Sequence, residues 1–154
     1  MRRFKITGCK GQSALESAIA CMFLFAFMLG MADVTRICYS WTSLQYAVNQ
    51  SGRFGILGQV DEGQPDRESS IRTRVVTMAN NLGVPIGLGD VSFIDSDGGN
   101  TAGAPLTFFT VRAETDIGVT PITGFFLDIL GAHYGDQSMH ITVEAVMRNE
   151  PFRT

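Results

Sequence analysis

The chain has few of the residues from which enzymes and metal-binding proteins are usually recognised. Its 154 residues include only three cysteines and two histidines, and none is spaced as a metal site requires. Cys21 and Cys38 would lie about 25 Å apart along one helix, too far for a disulfide. His133 and His140 have no nucleophile or carboxylate arrangement beside them. The sequence therefore nominates no catalytic residue, no metal ligand and no cofactor.

Basic charge is also scarce, and much of it lies at the start of the chain. Four of the twelve Lys and Arg residues come before residue 11, namely Arg2, Arg3, Lys5 and Lys10. The rest of the chain carries eight basic residues against fifteen acidic ones. Nucleic-acid binding needs a basic face, so the composition argues against a nucleic-acid partner.

Charge is absent altogether between Glu16 and Asp33. As a helix, the uncharged run 17–32 is about 24 Å long, and the two residues before Glu16 extend it toward the hydrocarbon core of about 30 Å. Basic residues are concentrated before this run, which predicts a cytoplasmic N-terminus and a periplasmic C-terminal domain. The sequence thus predicts a single pass through the inner membrane over about 15–34.

Glu16 stands at the edge of this apolar run. A carboxylate there costs roughly 2.5 kcal/mol or more near the bilayer centre and less near the interface, so it normally has a partner. A free α-amino group, made by cleavage of a neighbouring chain, would be such a partner. The alternative is that Glu16 simply ends the apolar helix and reaches water. Gly11, five residues earlier, favours the first interpretation.

The segment Gly11-Gln12-Ser13-Ala14-Leu15-Glu16 resembles the processing site of type IV prepilins. This resemblance implies that prepilin peptidase cuts after Gly11, so that residues 1–11 are a basic leader and Gln12 becomes the N-terminus. It also implies that Glu16 neutralises the α-amino group of Gln12 in an adjacent subunit and sets the axial register of assembly.

More narrowly, the chain resembles the TadE-like minor pilins (pseudopilins) of tight-adherence pilus systems. The shared features are the Gly-to-Glu spacing, Asp33 and Arg36 as a membrane-boundary pair, and the strand that runs into 143–151. Relatives often have a proline in the apolar helix, and its absence between Glu16 and Val60 predicts a straighter helix. The implied function is structural: the N-terminal helix packs against other pilins, and a separate ATPase supplies the energy.

Two other interpretations of the N-terminal region stay open. The small-x-small pattern at 30–32 could be a signal-peptidase site, which would release a secreted domain beginning at Asp33. Alternatively, the chain is an unprocessed single-pass anchor whose acidic head binds an extracytoplasmic partner. A lipoprotein is excluded, because Cys21 lies near the start of the apolar segment rather than after it.

The long helix is predicted to continue beyond the membrane and to end near Gly52. The predicted long-helix region, with the residues that lead to the head, spans 12–58. A stripe of apolar residues at steps of three and four is expected to be buried; its members are Val34, Ile37, Cys38, Trp41, Leu44 and Val48. Cys38 is expected to pack in this stripe, with an intermolecular cysteine pair as the alternative. Trp41 and Tyr46 are interpreted as interfacial anchors or packing residues.

The remaining residues, 59–154, are predicted to form an α+β head. A second helix should begin at Pro65, carry an ion pair between Glu68 and Arg72, and end before Gly83. Its expected buried stripe is Ile71, Val75, Met78, Ala79 and Leu82. A small antiparallel sheet of three to four strands should include 91–94, 106–117 and 139–148. The predicted fold class is therefore α+β, with a long transmembrane helix before a compact head.

Three segments are ambiguous. The acidic loop 95–100 lacks the glycine and glutamate positions of an EF-hand and is interpreted as a surface turn. The apolar segment 121–130 is either a short helix on the sheet or an exposed patch that contacts membrane or a neighbouring pilin. The tail 149–154 is expected to be frayed.

Overall fold

The computed structural model describes residues 10–120, 124, 128 and 138–151. Helix α1 spans Lys10–Ile56 and helix α2 spans Arg67–Asn81, and a 3-10 turn follows at Leu88–Asp90. The strands are β1 Val91–Asp95, β2 Phe108–Gly118 and β3 Ser138–Arg148. The predicted α+β fold, with a long N-terminal helix, a second helix and an antiparallel sheet, is confirmed.

The chain divides into two compact units. Among the described residues, one contains 10–35, 119, 120, 124 and 128, and the other contains 36–118 and 138–151. We call the second unit the head. The predicted limits at residues 11 and 58 stay predictions.

The sheet has the order β1-β2-β3, and both pairings are antiparallel. Val111 lies at its centre, opposite Phe93 on β1 and Ala145 on β3. Burial alternates along β2 and β3, and the buried side chains of both strands lie on the face that meets the core. A single hydrophobic core joins this sheet face to α2 and to the C-terminal part of α1.

Helix α1 runs through Gly52 and Gly55, where the sequence predicted that it would end. The structure shows another reason for these glycines. A Cβ on Gly52 would overlap the Sδ of Met147, and a Cβ on Gly55 would overlap the Cδ1 of Ile71. Both glycines therefore allow the sheet and α2 to approach the helix closely. The helix ends only at Ile56, before Gly58 takes a φ of 69°.

The stripe predicted for burial on α1 is only partly correct. Leu44 and Val48 are fully buried and Ile37 is partly buried, but Val34, Cys38 and Trp41 are exposed. The buried face of α1 in the head instead includes small residues, namely Ser40, Ser43, Ala47, Ser51, Gly52 and Gly55. The prediction failed because it equated large apolar side chains with burial, whereas close packing of α1 requires small ones.

Helix α2 begins at Arg67, two residues after the predicted start. Asp66 is its N-cap, and its carboxylate accepts a hydrogen bond from the Ser69 N–H at 2.6 Å. This bond, made by the backbone N–H of Ser69, lowers the pKa of Asp66 below its usual value. At the other end, Gly83 has a φ of 79° and closes the helix as predicted.

The ion pair predicted between Glu68 and Arg72 is replaced by two other contacts. Glu68 accepts a hydrogen bond from the Ala102 N–H at 2.9 Å, and Arg72 lies over the Phe93 ring at 5.5 Å. On α2, Arg74 pairs with Asp61 at 2.6 Å instead, an interaction between residues 13 positions apart. Spacing along one helix could not reveal partners that come from other elements.

The acidic loop is a surface turn, as predicted. The Asp95 carboxylate accepts hydrogen bonds from Asp97 N, Gly99 N and Thr101 Oγ1 at 2.7–2.9 Å. These bonds, led by the one from the Thr101 hydroxyl, lower the pKa of Asp95. The prediction for 121–130 lies outside the described residues, apart from helical Gly124 and Asp128.

Candidate assembly and membrane-boundary sites

The predicted processing and register residues lie at the start of α1. Gly11 and Gln12 are in its first turns, and Glu16 follows one helical turn after Gln12. The Gln12 Nε2 donates to the Glu16 Oε1 at 3.3 Å, and both side chains are exposed. An i,i+4 spacing thus puts the residue proposed to become the N-terminus and the carboxylate on one helix face.

The apolar run of α1 is exposed along its whole length. Side chains such as Met22, Phe25 and Phe27 expose 63–66 % of their surface. In the most apolar 18-residue window of the helix, 6 % is buried. This excludes the burial expected for a core helix of a soluble protein, although a signal sequence would have the same length and composition. The Ser17 hydroxyl donates to the Ser13 carbonyl at 2.8 Å, so this polar group is satisfied within the helix.

Asp33, which was predicted to mark the membrane boundary, is buried, and its carboxylate has an unexpected partner. Its Oδ2 accepts hydrogen bonds from the Thr120 N–H at 3.0 Å and from the Thr120 hydroxyl at 2.7 Å. Gly124 N then donates to the Thr120 carbonyl at 3.0 Å, as in the first turn of a helix. Hydrogen bonds to a buried carboxylate offset its loss of water. These hydrogen bonds hold Thr120 against Asp33, which is the first charged residue after the apolar run.

Thr120 was not predicted as a site residue, although one local signal was available. Thr120-Pro121 has the form of a helix N-terminus, in which Thr precedes Pro. This signal does not show that Thr120 and Asp33 meet, since they are 87 residues apart.

The predicted site residues fall into two groups that the structure does not bring together. Glu16 and Asp33 are separated by about 26 Å along α1. Arg36, one turn beyond Asp33, is exposed. The residue predicted to set the register and the residues predicted to mark the membrane boundary therefore lie at opposite ends of the apolar run.

A second set of polar contacts, all within the head, was also missed. The Arg67 guanidinium donates to the carbonyls of Ala102 and Gly103 at 2.5 and 2.6 Å and to Asn149 Oδ1 at 3.3 Å. Asn149 is 1 % exposed and donates to the carbonyls of Ala102 and Ala104 at 2.9 Å. Burial lowers the pKa of Arg67. These bonds join the start of α2, the loop before β2 and the end of β3.

The tail predicted to be frayed is therefore ordered at its start. Asn149 N donates to the Thr107 carbonyl at 2.9 Å, and Glu150 N donates to the Ile56 carbonyl at 3.1 Å. The prediction relied on the position of these residues near the end of the sequence, whereas burial and backbone hydrogen bonds decide whether a tail is ordered. The predictions for 152–154 lie outside the described residues.

The outer face of the sheet carries a row of charged side chains. Arg112 pairs with Glu114 at 2.7 Å, and His140 Nδ1 lies 2.8 Å from Asp116 Oδ1. His140 is exposed on an outer strand of the sheet, and it does lie beside a carboxylate, which the sequence did not predict. Exposed pairs of this kind contribute little to stability. Among the described residues, no group of three or more His, Cys, Asp or Glu side chains is arranged to hold a metal ion.

Comparison with known proteins gives a match to helix α1, which carries the predicted processing, register and boundary residues. The family model of TadE-like proteins matches residues 11–53, which include Gly11, Gln12, Glu16, Asp33 and Arg36. This finding confirms the TadE-like resemblance for a segment that makes up less than a third of the chain. No curated protein and no solved structure matches the chain. The TadE-like family is structural and pilus-related, so the match fits a pilus-associated, pilin-like protein with a single N-terminal membrane anchor.

Proposed function

We propose that this chain is a structural minor pilin that prepilin peptidase cleaves between Gly11 and Gln12 and that then takes part in assembly of a tight-adherence pilus. One observation carries the proposal. The segment that matches the TadE-like family combines the Gly11-to-Glu16 spacing with an uncharged helix whose side chains are exposed. A helix of this kind is suited to a lipid environment or to other apolar helices.

The role of Glu16 follows from its position at the edge of the apolar run. Cleavage after Gly11 would create a positive α-amino group on Gln12, one helical turn away from the Glu16 carboxylate of its own chain. In an assembled pilus, Glu16 would neutralise the α-amino group of a neighbouring subunit. An ion pair in an apolar setting strongly penalises a misplaced charge, and this fixes the axial register between helices.

The proposed topology places the span at about 15–34 in the inner membrane. The N-terminus is cytoplasmic, because the basic residues precede the span, and the head is periplasmic. Asp33 and Arg36 then lie at the outer boundary, where the exposed side chain of Arg36 reaches the headgroups. Partners of the chain are the prepilin peptidase, the inner membrane and the N-terminal helices of other pilins. The chain supplies a structural part, and no reaction is assigned to it.

The first experiment determines the N-terminus. The full chain is expressed with and without a prepilin peptidase, and the membrane-bound product is analysed by mass spectrometry. We expect a peptidase-dependent start at Gln12, which Gly11→Leu should abolish. A start at Met1 would support the unprocessed anchor with a partner-binding head, and a start at Asp33 would support a secreted domain.

The second experiment tests Glu16 itself. Glu16→Gln should leave the protein in the membrane and cleaved, yet reduce its recovery in sheared pili by at least about tenfold, since losing one buried charged partner costs several kcal/mol. Glu62→Gln is the matched control, because Glu62 is an exposed carboxylate outside the helices. Normal incorporation of the Glu16→Gln protein into pili would contradict the proposed register role.

A further inference from the structure

The two outer edges of the sheet in the head differ in how their backbone groups are bonded. At the β1 edge, Phe93 N donates to Asn100 Oδ1 at 3.2 Å. Asp95 N also donates to the Gly99 carbonyl at 2.9 Å, so the loop after β1 turns back over this edge. Along 138–148, by contrast, no backbone group has a hydrogen-bond partner other than β2 among the described residues. The sheet thus covers one edge with its own loop and leaves the β3 edge open.

Strand β3 lacks most of the features that protect an open edge from other chains. All eleven of its residues pair one-to-one with β2, so the strand is long and has no bulge. Residues 138–148 contain no proline, glycine or lysine. Glu144 and Arg148 lie on the exposed face of the strand, and neither points at the core. A long, regular edge of this kind is a template for a strand of another chain.

The core-facing side of β3 is left partly uncovered along this edge. Ile141, Val143 and Ala145 are buried there. Met139 lies on the same face, because side chains alternate along a strand, yet 37 % of its surface is exposed. Met147, also on this face, is only partly buried. Apolar side chains from a further strand beside β3 would cover both methionines.

Strand β2, which pairs with the other side of β3, shows which side chains suit β3. On the outer face, Arg112 lies opposite Glu144, with 3.6 Å between Nε and Oε1. Asp116 lies opposite His140, with 2.8 Å between Oδ1 and Nδ1. On the core face, β2 sets only apolar or hydroxyl side chains against β3. A strand on the open edge meets the same β3 side chains, so the same charge order is complementary to it.

We propose that the open edge of β3 binds an extended segment of a different polypeptide, which joins the sheet as an antiparallel fourth strand. The segment carries a basic side chain facing Glu144, an acidic one facing His140, and apolar side chains toward the core. Backbone hydrogen bonds supply the binding, and the alternating side chains set the register. This interaction goes beyond the proposed pilin function and requires neither cleavage nor membrane insertion.

The β3 strand of a second copy is the rival occupant, because antiparallel pairing centred on Thr142 would also place His140 opposite Glu144. As α1 goes from Gly52 to Ile56, its contacts go from Met147 to Glu150, so β3 and α1 run in the same direction. Pairing two β3 strands antiparallel would therefore set the two α1 helices in opposite directions. Insertion into one membrane orients all copies alike. Only this exclusion of a second copy rests on the proposed topology.

The test uses the full chain in detergent micelles and a fluorescent peptide with the sequence of β2, residues 108–118. We expect saturable binding by fluorescence anisotropy. Glu144→Arg should weaken binding severalfold, and a peptide carrying Arg112→Glu should restore it, because the two charges are then exchanged. Glu150→Arg is the matched control, since Glu150 is an exposed carboxylate just beyond β3, and it should bind the β2 peptide as the original chain does.

Hydrogen exchange, followed by mass spectrometry, locates the bound peptide. About half of the β3 amides point away from β2 and should gain protection, while the β2 amides keep theirs. Faster exchange in β2 would show that the peptide replaces β2 and would contradict the open-edge site. Absence of binding, or equal binding of both peptides to every variant, would also overturn the proposal. A dimer of the chain alone that Glu144→Arg disperses would assign the edge to a second copy instead.

Discussion

Phenylalanines occur both in the apolar run of α1 and in the head, but they have opposite surroundings. Phe23, Phe25 and Phe27 expose 58–66 % of their surface, whereas Phe93 and Phe109 expose 1–2 %. The head buries its apolar side chains against its own chain. Those of the run meet whatever surrounds the helix, which we propose to be lipid and neighbouring helices. The comparison shows that hydrophobic content alone does not locate a protein core.

Glycines show the same contrast along one helix. A Cβ on Gly55 would overlap Ile71, whereas a Cβ on Gly30 would meet nothing within 4 Å among the described residues. The glycine in the head is needed for close packing, and the glycine in the run is not constrained in this way. The two regions should therefore respond differently to the same substitutions.

The largest contrast is expected from shortening a phenylalanine in each region. Phe109→Ala should destabilise the head by about 3–5 kcal/mol, because it leaves a cavity in the core. Phe25→Ala should change the free energy of unfolding of the head by much less, because Phe25 is exposed. Urea unfolding of the full chain in detergent micelles, followed by circular dichroism, measures both. Equal losses of stability would show that the phenylalanines of the head and of the apolar run do not differ in their contribution to the stability of the head.

A smaller contrast is expected from enlarging a glycine. Gly55→Leu should cost about 1–3 kcal/mol, because the added side chain forces α1 and α2 apart or moves Ile71 from its rotamer. Gly30→Leu should leave the head as stable as the original chain. The same unfolding assay distinguishes them. A stable Gly55→Leu head would show that Ile71 can move aside and that the glycine is not required for close approach.

The smallest effect is expected from acid, and it should come from three carboxyl groups of the head. The pKa of Asp61 is lowered mainly by its hydrogen bond with Arg74, and the pKa values of Asp66 and Asp95 are also lowered. A carboxyl group with a lowered pKa in the folded state stabilises the protein above its unfolded pKa of about 3.9. This contribution is lost as the pH falls through the folded pKa. The melting temperature of the head should therefore drop below about pH 4.

Asp66→Asn sharpens this test, because asparagine keeps the N-cap acceptor but does not titrate. The variant should lose less of its melting temperature between neutral and acidic pH than the original chain. Identical acid profiles for the two proteins would show that the N-cap carboxylate does not contribute to acid sensitivity.

Much of the fold was predictable because it depends on neighbours along the chain. The sequence located β3 at 139–148, and the structure has it at Ser138–Arg148. Gly83 correctly marked the end of α2. Pro65 located the start of that helix to within two residues. In each case a local rule of backbone geometry or side-chain period was sufficient.

The errors share a different cause. The long helix was predicted to end near Gly52, but it continues, and Gly52 and Gly55 are contact points for Met147 and Ile71. Glu68 was given a partner on its own helix, but it bonds to the Ala102 N–H. In both cases the deciding contact comes from an element distant in sequence, so no local pattern could contain it.

The candidate sites divide in the same way. The sequence by itself determined the Gly11-to-Glu16 spacing, the uncharged run and the charged residues that follow it, because each is a property of consecutive residues. Only the tertiary structure decided that Asp33 is buried against Thr120, that Arg67 and Asn149 bind the loop before β2, and that Trp41 is exposed. Burial and hydrogen bonding depend on which surfaces approach a side chain, and that is set by packing rather than by composition.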